Sequence, residues 1–152
     1  MANVKRRLAT ILATDCVGFS KHMTENEELT LDNLKACRAI IDPLIKEFGG
    51  RIFYTAGDSV IADFSSPVEC VNAAIKFQKA ISDRNQTLGD SMKLVWRVGI
   101  HLDDVIIEGD NIYGNGVNIA ARLEAQCAPG QILLSKVVQE QVNQRVDFTI
   151  EA

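Results

Sequence analysis

Two aspartates in this 152-residue chain stand where a cation could be bound. Asp15 directly follows the apolar, β-branched run 8–14, which is typical of a buried strand, and Asp58 lies at the tip of the short turn 56–59. If the two strands are neighbours, both carboxylates reach one spot and can hold a hard cation such as Mg²⁺ through oxygen ligands. A helix cap at Asp15 and an ordinary turn residue at Asp58 explain the same spacing, so that alternative stays open.

A second set of residues could bind phosphate. Gly18 permits close backbone approach, and amides that precede a helix can receive phosphate oxygens. Asn118 and Arg122 lie four residues apart, hence on one face of a predicted helix, where an amide beside a guanidinium could stabilise a transferring phosphoryl group. A solvated helix face explains this pair equally, and the Gly-rich turn 114–116 resembles a phosphate cradle only weakly.

The elements that must position these residues are predicted from the periodicity of the apolar side chains. Gly57 and Asp58 lie between two strand patterns and predict a tight hairpin. Trp96 alternates with aliphatic residues and is therefore predicted to lie in the core. Strands are predicted over 8–14, 51–55, 60–64, 94–102, its partner 104–108, 132–134 and 146–150, and helices over 25–48, 67–85, 117–126 and shortly after Ser135.

Local signals set the ends of the helices. Thr24 and Glu27 form a predicted capping box for the first helix, and Pro43 predicts a kink or break within it. Ser66 and Pro67 supply the cap and the first-turn proline of the second helix.

Strands mixed with helices, including a tight hairpin, predict an α+β sandwich with helices on one face of the sheet. The strand 94–102 has one apolar face and one more polar face, and the polar face carries Arg97. That polar face would then be left for a ligand or a partner. The pattern alone does not order the strands in the sheet.

Composition limits the class of protein. Hydrophobic residues make up 47% of the chain and charged residues 24%, which is near the average for a soluble globular domain. The formal net charge of −4 and the lack of a basic stripe argue against nucleic-acid binding. We therefore expect a single domain over residues 1–152, in which a bound triphosphate would need local cations or metal ions.

The cysteines and the hydropathy pattern indicate the compartment. Cys16, Cys37, Cys70 and Cys127 are widely scattered without a Cys-x-x-Cys pair, which predicts buried free thiols rather than disulfides or a zinc site. No apolar run has the length of a transmembrane helix, and the N-terminus lacks a signal-peptide pattern. We therefore expect no membrane contact within this segment and a cytoplasmic location.

Four segments, in this order, resemble the catalytic domain of class III adenylate and guanylate cyclases of the bacterial homodimeric type. Residues 13–20 (Ala-Thr-Asp-Cys-Val-Gly-Phe-Ser) resemble the first metal-binding motif, and residues 54–58 (Tyr-Thr-Ala-Gly-Asp) resemble the second. Residues 97–101 (Arg-Val-Gly-Ile-His) resemble the central strand, and residues 111–122 resemble the transition-state motif. The ordered set covers most of the chain and is far more specific than any one segment.

The resemblance implies a ferredoxin-like α+β sandwich with an antiparallel sheet and helices on one face. It implies that Asp15 and Asp58 bind two Mg²⁺ or Mn²⁺ ions per site, assisted by the backbone carbonyl of Cys16. The implied reaction is attack of the ribose 3′-oxygen on the α-phosphorus of a nucleoside triphosphate. It forms the 3′,5′-cyclic monophosphate and releases pyrophosphate.

The same resemblance assigns the other contacts. The backbone amides of Gly18 and Phe19 and the side chain of Arg97 would bind phosphate oxygens. Asn118 would orient the ribose, and Arg122 would stabilise the transition state. In this family one protomer supplies the metals and Arg97, and its partner supplies Asn118, Arg122 and the base-reading residues. Because this chain carries both sets, the resemblance implies a homodimer with two sites.

Two positions depart from the family pattern. Adenylate cyclases usually read adenine with a lysine and an aspartate, and this chain has Tyr54 and Asn111 at the matching positions. The surrounding motifs favour ATP over GTP, so the two substitutions bear on substrate choice and rate more than on the reaction type. The family also continues further, with a lysine that contacts the triphosphate, and we expect the last strands of the domain to lie beyond Ala152.

The strongest rival interpretation is a pseudo-cyclase that binds nucleotide, or only dimerises, and so regulates an attached domain; Tyr54 and Asn111 favour it. Related bacterial chains often add a regulatory or repeat domain, so a fused domain is an expected partner. A diguanylate cyclase would need a Gly-Gly-Asp/Glu-Glu-Phe run, which the sequence lacks. An RNA-binding module is opposed by the acidic balance and by the lack of an aromatic sheet motif.

Overall fold

One mixed sheet forms the centre of the molecule. The computed structural model describes residues 4–146, and in this range six strands pair in the order β2-β3-β1-β4-β5, with β6 beside β4. All pairs are antiparallel except β4 with β6. The predicted α+β class is confirmed, with this one parallel pair as a correction in detail. The strands are β1 (Val4–Cys16), β2 (Arg51–Ala56), β3 (Ser59–Phe64), β4 (Trp96–Glu108), β5 (Asn111–Tyr113) and β6 (Ile132–Leu134).

Five α-helices are described around the sheet. None of the helices within residues 4–146 is long and apolar enough to cross a bilayer. The helices are α1 (Phe19–Glu25), α2 (Glu27–Glu47), α3 (Pro67–Asn85), α4 (Asn115–Gln126) and α5 (Lys136–Val142), with a 3₁₀ turn at Asp90–Met92.

Two hydrophobic cores lie on opposite faces of the sheet. The larger core packs α2, α3 and α5 against one face, and its fully buried side chains include Trp96, Phe64 and Phe77. The smaller core packs α4 against the other face, where Ala120 belongs to the same cluster as Ile11. Helices on one face are therefore correct for α2, α3 and α5, and α4 is the exception. The predicted core position of Trp96 is confirmed.

Both cores follow from the alternation of side chains along β1. Leu12 and Cys16 belong to the larger core, whereas Ile11 and Ala13 belong to the smaller core beneath α4. Because successive strand residues point to opposite faces, Asp15 continues the set that faces α4. The end of β1 therefore delivers a carboxylate to the face opposite the main core.

Gly99 on β4 allows α4 to lie directly on the sheet. A Cβ atom at Gly99 would lie 2.3 Å from the backbone nitrogen of Glu124 and 2.4 Å from the backbone oxygen of Ala120. Both distances are far below any normal van der Waals contact, so only glycine permits this approach. The polar face of the predicted strand, which we expected to be left for a ligand or partner, is thus partly covered by the chain's own helix.

The helix-start signals are right for α3 and wrong for α2. The hydroxyl of Ser66 accepts a hydrogen bond from the amide of Glu69 at 3.2 Å, and α3 begins at Pro67 as predicted. The cap of α2 is Asn26, whose side-chain oxygen accepts from the amide of Leu29 at 3.1 Å. Thr24 cannot supply that cap because it lies inside α1, where its hydroxyl donates to the carbonyl of Ser20.

The predicted break at Pro43 and the predicted partner strand at 104–108 do not occur. Helix α2 continues through Pro43, held on the core side by the fully buried Ile41 and Ile45 that flank the proline. Residues 104–108 are the second half of β4 and not a separate partner strand, because β1 is long enough to pair along the whole of β4. The partner is the short β5. The strand predicted over 146–150 falls mostly outside the described residues.

We expect Gly99→Ala to destabilise the domain by about 1–3 kcal/mol, because the added methyl group must push α4 away from β4. Gly89→Ala is the matched control, since a Cβ atom at Gly89 would meet nothing within 4 Å. Urea unfolding followed by circular dichroism measures both variants. Equal unfolding midpoints for the two variants would contradict the backbone contact described above.

Candidate active site

Asp15 and Asp58 are brought together by the pairing of β1 with β3. Thr14 lies opposite Val60, so the end of β1 adjoins the β2–β3 turn that carries Asp58. Gly57 takes a positive φ of 58° in that turn, which glycine adopts without strain. The Asp58 carboxylate accepts a hydrogen bond from the backbone amide of Cys16 at 2.9 Å. The strands are thus neighbours, as the two-carboxylate interpretation requires.

Arg97 on β4 lies directly opposite Asp15 on β1. The two residues are paired in the β1–β4 ladder. The Arg97 Nη2 donates to both Asp15 oxygens at 3.0 and 3.2 Å, and Nε donates to one of them at 3.2 Å. Its Nη1 also donates to the backbone carbonyl of Ala125 at 3.2 Å. A guanidinium therefore joins the end of β1 to the last turn of α4.

Glu124 is a site residue that the sequence reasoning missed. Its side chain is buried, and its Oε2 lies 3.7 Å from Nη2 of Arg97. The signal that could have found it is the spacing of Gly116, Ala120 and Glu124, which recur every fourth residue on the buried face of α4. An acid on an otherwise small and apolar helix face is costly unless a cation meets it there.

The site holds more negative than positive charge. Asp15, Asp58 and Glu124 surround the single guanidinium of Arg97. Burial, followed by a hydrogen bond with Asp15 and repulsion from it, raises the pKa of Glu124 to about 8. Burial likewise raises the pKa of Asp58, although the hydrogen bond from the amide of Cys16 opposes that shift. Bound cations would reduce the repulsion between these carboxylates.

The donor set fits magnesium better than a metal held by protein side chains alone. Within residues 4–146, no group of three or more His, Cys, Asp or Glu side chains is placed to hold a metal ion. Mg²⁺ is commonly bound by one or two carboxylates together with substrate phosphate oxygens. Asp15 and Asp58 supply those two carboxylates. Cys16, whose backbone carbonyl is the third predicted ligand, directly follows Asp15 in the sequence.

Gly18 and Phe19 form the start of α1, just beyond the end of β1. Gly18 has a positive φ of 64° and caps the helix, and Phe19 packs its ring against the main core. The preceding residue is fixed by a hydrogen bond from the amide of Val17 to the carbonyl of Val95 at 2.8 Å. The first turn of α1 is therefore held close to Asp15.

Asn118 and Arg122 lie on the opposite side of α4 from Glu124. Both are exposed, whereas Glu124 belongs to the face that packs on the sheet. Within the described part of the chain, neither makes a hydrogen bond or ion pair with Asp15 or Asp58. One chain thus gathers the two aspartates, Arg97 and Glu124, and presents Asn118 and Arg122 outward.

Tyr54 and Asn111 lie on β2 and β5, the two ends of the strand order, yet these edges approach each other. The guanidinium of Arg51 on β2 lies 3.6 Å from the carboxylate of Asp110, which directly precedes β5. Phe53, at an irregularity in the β2–β3 register, packs into the smaller core beneath α4. One ion pair therefore joins the two edges of the sheet, and Tyr54 and Asn111 are both exposed on these edge strands.

The fold and the ordered motifs agree with a match to a known family. Residues 3–152 match the family described as the adenylate and guanylate cyclase catalytic domain. The chain belongs to this family. The nucleotidyl cyclase fold predicted from the four motifs is thereby confirmed.

Several relatives share this cyclase domain. A Rhizobium meliloti (strain 1021) protein whose given name includes the words adenylate cyclase 3 is 38% identical over 147 residues, which are 96% of this chain and 25% of that protein. The chain thus spans about a quarter of the length of this curated relative. The crystal structure of an adenylate/guanylate cyclase/hydrolase from Silicibacter pomeroyi is 37% identical with a TM-score of 0.89, covering 95% of this chain and 85% of that one. The adenylyl cyclase CyaB from P. aeruginosa, 24% identical with a TM-score of 0.82 over 93% and 83% of the two chains, shares the fold.

Proposed function

We propose that this domain converts ATP, in preference to GTP, into the 3′,5′-cyclic monophosphate and pyrophosphate at sites shared by two copies of the chain. The observation that carries this proposal is the division of the motif residues in the structure. Asp15, Asp58 and Arg97 converge within the chain, whereas Asn118 and Arg122 face outward on α4.

Asp15 and Asp58 would hold two divalent cations, Mg²⁺ or Mn²⁺, with the carbonyl of Cys16. When bound, such cations make the ribose 3′-hydroxyl easier to deprotonate and neutralise the triphosphate charge. The excess negative charge at these carboxylates supports the assignment. Arg97, whose fork geometry suits phosphate oxygens, would bind the triphosphate beside Asp15. The amides of Gly18 and Phe19 would bind phosphate oxygens at the start of α1.

The proposed reaction is intramolecular. The ribose O3′ gives its proton to solvent water and forms a bond to the α-phosphorus, while the bond from that phosphorus to the bridging oxygen breaks and pyrophosphate leaves. Asn118 would hold the ribose so that O3′ and the leaving oxygen lie in line. Arg122 would donate to the oxygens on which charge develops in the transition state. Positioning and charge stabilisation supply most of the catalysis in phosphoryl transfer.

Asn118 and Arg122 require a second copy of the chain. Because they lie on the exposed side of α4, they can meet a substrate only if it is bound by another molecule's Asp15 and Asp58. A two-fold homodimer satisfies both copies at once, since each subunit gives its metal half to one site and its α4 to the other. Two sites per dimer follow from this symmetry.

Tyr54 and Asn111 would read the base. Both are exposed, on the edge strands β2 and β5 that the ion pair between Arg51 and Asp110 joins. The hydroxyl of Tyr54 and the amide of Asn111 each offer a donor and an acceptor, so neither residue excludes guanine. The name of the Rhizobium meliloti relative and the motif pattern support ATP as the preferred substrate.

A catalytically weak pseudo-cyclase is the second candidate function, and the replacement of the usual lysine and aspartate by Tyr54 and Asn111 favours it. Incubation with Mn²⁺ and ATP, followed by assays of cyclic nucleotide and pyrophosphate, separates the two candidates. Equal amounts of both products support the cyclase. Nucleotide binding without either product supports the pseudo-cyclase.

We expect Asp15→Asn and Asp58→Asn each to leave a folded protein with almost no turnover, because the amide removes the charge that holds the cations. Asp90→Asn is the control, since the Asp90 side chain is fully exposed and pairs with Lys93, which is not a site residue. Cyclic nucleotide production with Mg²⁺ is measured beside circular dichroism for each variant. Near-normal activity in either site variant shows that the metal assignment is wrong.

Mixed dimers test the shared site. Asp15→Ala and Arg122→Ala homodimers should both be nearly inactive, the second by about 10²–10³-fold. In a heterodimer of the two, one site collects both defects and the other collects none, so mixing should restore part of the activity after subunit exchange. Two differently tagged proteins show whether heterodimers form. Heterodimers without any recovery would rule out this arrangement of the site.

The base-reading proposal predicts weak discrimination against GTP. An unpaired buried polar group costs about 1–3 kcal/mol, or roughly ten- to hundredfold in rate, and neither Tyr54 nor Asn111 imposes one. The double variant Tyr54→Lys and Asn111→Asp should therefore sharpen the preference for ATP. The test compares kcat/KM for ATP and GTP in both proteins. A wild-type preference for GTP, or for ATP above about a thousandfold, would refute this role.

A further inference from the structure

The guanidinium of Arg97 has two carboxylate neighbours on different elements. On one side it grips both oxygens of Asp15 at the end of β1. On the other side the Oε2 of Glu124 on α4 lies 3.7 Å from the same Nη2. The Nη1 group is meanwhile tied to the carbonyl of Ala125, one residue beyond Glu124. Arg97 is therefore anchored to α4 by a contact that does not involve Asp15.

This grip on Asp15 conflicts with the proposed task of that carboxylate. A carboxylate has about four lone-pair directions, and Arg97 makes three hydrogen bonds to Asp15, from Nη2 to both oxygens and from Nε to one of them. Its positive charge also weakens the attraction of Asp15 for a second cation. A divalent cation at Asp15 must therefore displace Arg97 at least in part, and the displaced guanidinium needs another acceptor.

We propose that Glu124 is a positioning residue that accepts Arg97 when Asp15 binds a divalent cation. This inference rests on the proposed function and deepens it. The hand-over frees Asp15 for the metal and keeps the guanidinium beside the metal, where it can bind the triphosphate. Glu124 touches neither metal nor substrate in this scheme; it gives up its hydrogen bond with Asp15 and acts through Arg97.

The geometry favours a small movement. Charge-assisted hydrogen bonds of this type are about 2.7–2.9 Å long, so Nη2 needs to approach Glu124 by roughly 1 Å from its present 3.7 Å. The bond from Nη1 to Ala125 can serve as the pivot. Glu124 cannot recede, because the contact at Gly99 holds its backbone against β4. Its burial strengthens any bond it makes to a guanidinium.

A simpler role for Glu124 must be separated from this one. Glu124 is an acid close to Asp15, so once ionised it could favour cation binding directly, whether or not Arg97 is present. The two roles differ in one respect. A direct field acts in any background, whereas a hand-over of Arg97 ends when Arg97 is removed.

A double-mutant cycle on Mn²⁺ binding decides between them, with free Mn²⁺ measured by electron paramagnetic resonance in the absence of nucleotide. Arg97→Gln should bind Mn²⁺ more tightly than wild type, because the competitor for Asp15 is gone. Glu124→Gln should bind it about 10–100-fold more weakly, the usual effect of losing an outer-shell partner. In the Arg97→Gln background, Glu124→Gln should change the affinity by little or nothing. Glu140→Gln, on an exposed position of α5, is the charge-matched control.

Other outcomes overturn the proposal in distinguishable ways. Equal weakening by Glu124→Gln in both backgrounds shows a direct field, and no weakening in wild type shows that Glu124 has no such role. Arg97→Gln that binds Mn²⁺ no more tightly than wild type removes the competition on which the hand-over depends. If wild type binds no Mn²⁺ without nucleotide, the hand-over at Asp15 is refuted, while the metal assignment is judged separately by the activities of Asp15→Asn and Asp58→Asn. If Glu124→Gln does not fold, Glu124→Asp replaces it, and its shorter side chain should give a smaller loss that again vanishes without Arg97.

Discussion

The antiparallel ladder between β1 and β4 is the constraint on which the other features of the domain depend. It runs from Val4 opposite Glu108 to Cys16 opposite Trp96, so its register places Asp15 opposite Arg97. A slip of one residue would turn every side chain of β1 to the other face, sending Asp15 into the main core and Leu12 towards α4. The burial of large side chains behind the sheet therefore fixes the register that the charged groups in front of it require.

The charged side chains at the end of this ladder lower the stability of the domain and suit the binding of a cation. Asp15 and Glu124 share one guanidinium, Asp58 lies nearby, and burial raises the pKa values of Asp58 and Glu124. Carboxylates that are harder to ionise in the fold than in the unfolded chain oppose folding near neutral pH. The ionisation that costs the fold stability is also what attracts a cation, so the same residues link ligand binding to the stability of the domain.

Much of this could be predicted from the sequence where one local rule decided the outcome. The hairpin at Gly57 and the cap at Ser66 follow from residue type alone. The length of β4 could not be predicted, because Asp103 and Asp104, a residue type that favours turns, are held in extended form by pairing with β1. The place of α4 and the burial of Glu124 depend on the free space at Gly99, which is a property of two elements together. The residue pattern of a strand does not show which later helix will pack on it.

The contact at Gly99 also makes the position of α4 independent of the exact side chains that stabilise the main core. Helix α4 is seated by backbone against backbone, so no side-chain volume sets its height above the sheet. The large core, which supplies most of the buried apolar area, lies on the far side of the sheet and can exchange one aliphatic residue for another without lifting α4. Substitutions in the main core can therefore accumulate without moving the outward-facing side chains of this helix. The shape of that surface therefore depends on the absence of a side chain at Gly99 more than on which side chains fill the core.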